Sequence, residues 1–268
     1  MLVDLHVHTT ASDGLLTPKK VLRLASEKKV KLLSITDHDN TSGIQEALNA
    51  SKKFGVEVIP GVELSAKAPF ELHILGYFFD FKAPELLHEL DWLKESREKA
   101  SQKMIERLNS LGFEINYEEV RGKASGVVGR PHIAEVLLEK GYISEFQEAF
   151  DLYIGNSKPA YVEKRKLQPK KCIKLIQKLG GFTVLAHPKY TFLEIGELER
   201  VLLKLKNWGL SGIEVYQPEQ DALIYEKLAD RLSLLKTAGT DFHNNKTGPI
   251  GVEFPEDDLR EFLKRGES

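Results

Sequence analysis

The sequence predicts an α/β fold: a closed or nearly closed barrel of seven strands carrying a helical insertion. Three observations predict it. Seven short apolar runs recur along the chain, helical patterns lie between most of them, and the stretch from about residue 83 to 157 replaces this alternation with helical pattern alone. Strand, helix and strand at such spacing imply parallel strands joined by crossovers. Seven of them suggest closure rather than a flat sheet.

The strands are expected at LVDLHVH (2–8), KLLSIT (31–36), VEVIPGVEL (56–64), ELHILGYF (71–78), GFTVLAH (181–187), SGIEVY (211–216) and LLKTAGTD (234–241). Each reads as a strand buried on both faces. TPKKVLRLASEKK (17–29) is a helix, started by Thr17 as cap and Pro18 in the first turn. TSGIQEALNASKKFG (41–55) is another. ELLHELDWLKESREKASQKMIERLNSLG has apolar residues at spacings of three and four, as one long helix does, with Trp92 expected in the insertion core. PHIAEVLLEKG and SEFQEAFDLYIG continue the helical pattern. The expected division is a barrel of residues 1–82 and 158–268 with an insertion of 83–157. An insertion above the C-terminal strand ends is placed to wall an active site.

Composition excludes several classes. The 268 residues carry a net charge of −2, which argues against a general nucleic-acid coat and leaves room for a local basic pocket. The single cysteine, Cys172, can build neither a disulfide framework nor a thiolate metal site, and reads as a reduced thiol in a helix core. The N-terminal stretch lacks a basic segment followed by an apolar one, and no apolar run approaches the roughly 20 residues that span a bilayer. A cytoplasmic protein with no membrane contact is expected.

The chemistry lies at the strand ends. Asp4, His6 and His8 share one face of the first strand, because side chains alternate along it. Asp13 follows in the next loop. The second strand ends in Asp37, His38 and Asp39, the third in Glu63; the fourth carries His73; the fifth ends in His187; the last ends in Asp241 and His243. In a parallel barrel these ends meet at one rim. Imidazole and carboxylate without sulfur suit Mn, Zn or Fe rather than Ca or Mg. The set is larger than one ion needs. Bridging carboxylates would let two or three ions sit together, the arrangement used for attack on phosphorus. Asp4 is expected to hold a neighbouring histidine, Asp37 and Asp39 to support ligands or cap loops, and His88 to be structural. In SGVVGRPHIAEVL, Gly126 and Gly129 give a turn and Pro131 starts a helix. A helix N-terminus attracts an anion, to which Arg130 and His132 add directed donors. Lys158 in NSKPAYVEK is a weaker basic candidate.

DLHVHTTASDG, SITDHDN, PGVELS, HILGY, LAHP and TDFHNN together resemble the signature set of the PHP (polymerase and histidinol phosphatase) superfamily. GRPHIA and KPAYV are similar to its stand-alone branch acting on nucleotides: 3′,5′-nucleoside bisphosphate phosphatases, some of which trim short RNA from the 5′ end. The resemblance implies a distorted, TIM-like (β/α)7 barrel and up to three metal ions. One would be held by His6, His8, Glu63 and Asp241, a second by Asp13, His38 and His243, and a third by His73, His187 and a bridging Glu63. It implies Mn2+ as working ion, with Fe or Zn2+ as alternatives. It further implies hydrolysis of a phosphomonoester by metal-activated hydroxide, with Glu63, Asp241, Arg130 and His132 as the catalytic group. Arg130, His132 and Lys158 would contact the substrate, a small phosphorylated nucleotide or a short RNA, and no obligate protein partner is implied. Three rivals stand beside this reading. A histidinol phosphate phosphatase lacks a use for the second anion site. An amidohydrolase would need a bridging lysine, where Glu63 stands. A non-catalytic PHP module would not need the full ligand set.

Overall fold

The computed structural model describes residues 1–124, 126–244 and 248–267. Strands β1 (Leu2–Val7), β2 (Leu32–Ile35) and β3 (Glu57–Ser65) are parallel neighbours. β4 (His73–Tyr77) runs antiparallel to β3 and to β5 (Phe182–Leu185), after which β6 (Gly212–Tyr216) and β7 (Leu235–Ala238) are parallel again. Phe242, beyond β7, bridges in parallel to Val7, and its carbonyl accepts from the His8 N–H at 2.8 Å. That contact nearly closes the barrel. A two-residue strand, β8 (Val252–Glu253), lies antiparallel to the start of β1.

The expected barrel is present, with two corrections. β4 is reversed because only residues 66–72 join it to β3, and a parallel return needs a dozen or more. The reversal puts His73 at the start of its strand, so it reaches the same rim as the ends of the parallel strands. β8 makes an eighth strand; two residues carry no readable alternation.

Helices α1 (Pro18–Glu27) and α2 (Ile44–Phe54) pack together outside β1 to β3. Thr17 caps α1, its hydroxyl accepting from the Lys20 N–H. The chain between β4 and β5 holds α3 (Pro84–Ser110), α4 (Tyr117–Lys123), α5 (Arg130–Glu139), α6 (Phe146–Ala149) with a following π-turn (Phe150–Ile154), and α7 (Pro169–Lys178). α8 (Ile195–Trp208), α9 (Ala222–Leu232) and α10 (Glu256–Gly266) complete the chain.

α3 serves two cores. Its first half buries Leu86, Leu90 and Leu93 with Ile74, Cys172 and Ile176 of the barrel layer. Its second half buries Met104, Ile105 and Leu108 with Val120, Ile133, Leu137 and Ile154 in a separate cluster. Trp92 belongs to neither: it is 38% exposed, contrary to the expectation of a core residue. α10 closes the lower mouth, where Phe254 and Phe262 pack with Leu5, Leu75, Tyr77 and Val184. The barrel is apolar below and polar at the upper rim, and the polar half is the site.

Candidate metal centre

Alternation along β1 sends His6 and His8 inward, both fully buried. His38, Glu63, His73, His187, Asp241 and His243 arrive from the other strand ends. Asp39, His187 and Asp241 have φ of 49°, 26° and 54°, left-handed backbone that non-glycine residues rarely adopt and that turns these chain ends at the rim.

Glu63 is the hub. Its Oε2 lies 3.4 Å from His6 Nε2, 3.2 Å from His8 Nε2 and 2.8 Å from His38 Nδ1. Its Oε1 lies 3.0 Å from His73 Nδ1 and 2.9 Å from His187 Nε2. Asp241 Oδ1 stands 3.0 Å from His8 Nε2 and 3.4 Å from His6 Nε2. Asp13 stands 3.5 Å from His243 Nε2, 3.7 Å from His8 Nδ1 and 3.9 Å from His38 Nε2.

Among the described residues, three groups have donor atoms within 4.8 Å of one another: His6, His8, Glu63 and Asp241; His8, Asp13, His38 and His243; and His38, Glu63 and His73. Compared with the sets the resemblance implies, the second gains His8 and the third holds His38 in place of His187. His187 still meets both His73 and Glu63, at 3.2 and 2.9 Å.

The donor set fits divalent cations. Among the described residues, Asp13 Oδ1, Glu63 Oε2 and His38 Nδ1 are buried with no partner in hydrogen-bond geometry. His6 Nε2 faces His8 Nε2 at 3.2 Å. Converging lone pairs in a desolvated space are costly unless a positive charge sits among them. Burial raises the Glu63 carboxyl, but His38, His73 and His6 outweigh it and hold the group well below its ordinary range. Burial pushes His38 down to about 4, so its ring is neutral and ready to donate a lone pair.

Supporting groups fix these ligands. Glu214 on β6 accepts from His6 Nδ1 at 3.1 Å and from the His187 N–H at 2.7 Å. It thereby turns His6 Nε2 toward Glu63 and Asp241. Gly239 makes room for this: a Cβ there would lie 2.4 Å from His6 Cβ and 2.6 Å from Glu214 Oε1. His243 Nδ1 donates to the Asp241 carbonyl at 2.9 Å, which leaves Nε2 for Asp13. Asp4 takes the expected part by a different route. Among the described contacts it holds the neighbouring His6 by its backbone N–H, at 3.3 Å, rather than by its ring, and it also accepts from the Thr240 N–H and hydroxyl and the Gly251 N–H, tying the post-β7 chain to β1. Asp37 accepts from Thr9 and Ser12 and shapes the loop after β1. Replacing Glu214→Gln is expected to weaken metal binding about 10- to 100-fold, the usual loss when such a partner is removed. Titration of metal-free protein with Mn2+ measures it, and unchanged affinity would remove Glu214 from this role.

The substrate-side candidates divide. His132 is buried, and its Nδ1 accepts from the Gly129 N–H at 3.0 Å, so Nε2 carries the proton. Burial lowers its pKa, partly offset by Asp13 nearby. Arg130 lies farther out, its guanidinium over the Phe150 and Tyr161 rings and donating to Asn156. Lys158 is exposed on the turn after the π-turn, and none of the described contacts links its side chain to the cluster. His88 is exposed on α3.

Two cations that the sequence did not single out reach the rim. Arg97 of α3 is 7% exposed, with Nη1 3.9 Å from Asp13 and Nη2 3.7 Å from Asp39. Lys164 contacts Asp39 at 3.2 Å and Ser65 Oγ at 2.8 Å, and burial brings its pKa down to about 8. Arg97 was findable: it stands at an apolar position of the helix period, between Leu93 and Ala100–Ser101. So was Glu214, a carboxylate inside the apolar run SGIEVY. Lys164 lies in an irregular segment with no such signal.

A barrel rim of this kind defines a metal-dependent phosphoesterase. The PHP domain family matches residues 4–224, and the chain belongs to that family. It is 32% identical over 244 residues to a 5′-3′ exoribonuclease of Haemophilus influenzae, spanning 90% of this chain and 89% of that one. It is 30% identical over 268 residues to a 3′,5′-nucleoside bisphosphate phosphatase of Chromobacterium violaceum, spanning 95% and 92%. The solved structure of an amidohydrolase from Chromobacterium violaceum matches with a TM-score of 0.90 at 28% identity, covering 98% and 96%. In this chain a carboxylate, Glu63, occupies the centre of the ligand cluster. No helix among the described residues is long and apolar enough to cross a membrane.

Proposed function

We propose that the chain hydrolyses phosphomonoesters of nucleotides, and that its preferred substrates are nucleoside 3′,5′-bisphosphates losing the 3′-phosphate. The carrying observation is the buried Arg97 guanidinium beside the ligand cluster, whose Nη1 has no hydrogen-bond partner among the described residues. A desolvated, unsatisfied guanidinium next to a metal centre suits a phosphoryl group.

The nine donors from His6 to His243 would hold up to three ions, with Mn2+ as working ion and Fe or Zn2+ as alternatives. Bound there, divalent ions supply an activated water near neutral pH and positive charge for the phosphoryl oxygens. The chain's own residues do the rest. Glu63 and Asp241 stay ionised as ligands, because the surrounding imidazoles hold both pKa values down against burial. Arg97 offsets charge growing on the equatorial oxygens. His132 presents Nε2–H as a neutral donor. The second phosphate lies toward the α5 N-terminus and Arg130, with the exposed Lys158 as an outer cation. The protein works in the cytoplasm in this reading.

Arg130→Ala tests the two-phosphate pocket. Loss of one charge-assisted hydrogen bond of about 1.5–3 kcal/mol should cut kcat/KM for adenosine 3′,5′-bisphosphate roughly 10- to 100-fold. Hydrolysis of p-nitrophenyl phosphate, which has one phosphate, should change little. Equal losses on both would sink the pocket, and faster turnover of histidinol phosphate than of the bisphosphate would transfer the assignment to that rival. Removal of 5′ nucleotides from short RNA is a second reading, favoured by the groove described next.

A further inference from the structure

We propose that the groove between α3 and residues 162–168 binds single-stranded RNA, seating the nucleotides downstream of the one held at the metal centre. This rests on the nucleotide-directed reading above and extends it to an oligonucleotide. Two depressions of about 240 and 380 Å³ share Trp92, Glu163 and Arg165 and form one continuous surface. Six cations line it, Lys67, Lys99, Lys103, Lys164, Arg165 and Lys166, against the carboxylates Glu95 and Glu163. The whole chain carries −2, so this positive excess is local.

Charge alone would fit any polyanion. The aromatic group narrows the choice. Trp92 is exposed, with the Arg165 guanidinium 5.2 Å from its ring centroid. Bases stack on tryptophan faces and on arginine planes, and a cationic groove with an aromatic platform is the usual design for single strands. The platform is built before binding, because Ser96 Oγ accepts from the Arg165 N–H at 2.7 Å and ties the segment to α3. Trp92, Ser96, Lys99 and Lys103 follow one helix face. Their eleven-residue span is ~16 Å at 1.5 Å per residue, longer than a single nucleotide step. One end of the groove meets the centre, because Lys164 lines the groove and also contacts Asp39 and Ser65.

The test separates binding from hydrolysis. A fluorescent 5′-phosphorylated RNA octamer is titrated into the full chain in EDTA, read by anisotropy, for wild type, Trp92→Ala and Arg165→Ala. Each variant should bind the octamer roughly tenfold more weakly, the scale of one lost base stack. Neither should alter hydrolysis of adenosine 3′,5′-bisphosphate by metal-loaded enzyme. Wild-type affinity in both variants overturns the groove, as does heparin competition that is equally strong against wild type and Trp92→Ala. Octamer binding that is lost in the variants, from a protein that fails to hydrolyse the bisphosphate, supports the groove and rejects the proposed substrate instead.

Discussion

Glu63→Gln is expected to abolish phosphoesterase activity, with kcat/KM falling on the order of 10³-fold or more as bound metal and its several kcal/mol of charge stabilisation are lost. The reason is geometric. One carboxylate has oxygens within 3.4 Å of His6, His8, His38, His73 and His187. It therefore belongs to two of the three donor groups. An amide keeps the shape but loses the charge and turns one acceptor into a donor pointing at imidazole nitrogens. Metal content should drop with activity, and elemental analysis after dialysis reads it directly. His88→Gln, an exposed histidine on α3, is the control that should change neither. Retention of full metal content and a tenth of the activity in Glu63→Gln would show that Glu63 does not join the ions.

The rim was legible because its chemistry violates the strand pattern. Histidines at 6 and 8, alternating with buried Leu5 and Val7 on a strand that also carries Asp4, have no structural reason to be there. The same logic applies to Glu63 and to Asp241–His243. Seven of the eight described strands were also readable, since each is a short apolar run, whereas the two-residue β8 was not. The direction of β4 was not, because a strand's residues do not encode its orientation; only the short link of 66–72 did. The part Asp4 plays was legible only in half: it holds His6, but by the backbone N–H, and its other donors, Thr240 and Gly251, are distant in sequence. Trp92 was misread for a related reason. Helical periodicity identifies the face with Leu93 and Arg97, but a residue at the edge of that face is buried only if another element covers it. Residues 162–168 run beside it and leave the ring open. Arg130 and Lys158 are read from local turn chemistry, which marks an anion-binding helix start without giving its distance from the ligand cluster. Two further cations pair with Asp13 and Asp39, one from the buried face of a long helix and one from an irregular strap.

Arg97→Met should separate phosphate recognition from metal binding. Arg97 sits 3.9 Å from Asp13 and 3.7 Å from Asp39, buried with both. Removing a buried cation costs about 3–5 kcal/mol when its partners are left uncompensated. Here the loss falls at the low end, since Lys164 still contacts Asp39. The metal-free variant should therefore melt lower than wild type, and Mn2+ should restore more of the difference than it adds to wild type, because the ion offsets the charge on Asp13. Metal affinity should stay level or rise, as a repelling positive charge has gone. Activity should move the other way: kcat/KM falls about 10²- to 10³-fold, the range for losing one preorganised donor to a developing oxyanion. Inhibition by inorganic phosphate should weaken with it. Arg97→Lys keeps the charge without the planar fork and should lie between the two. A parallel loss of metal and activity in Arg97→Met would make Arg97 a support for Asp13 alone, and the anion site would have to be built from Lys164 and the α5 N-terminus.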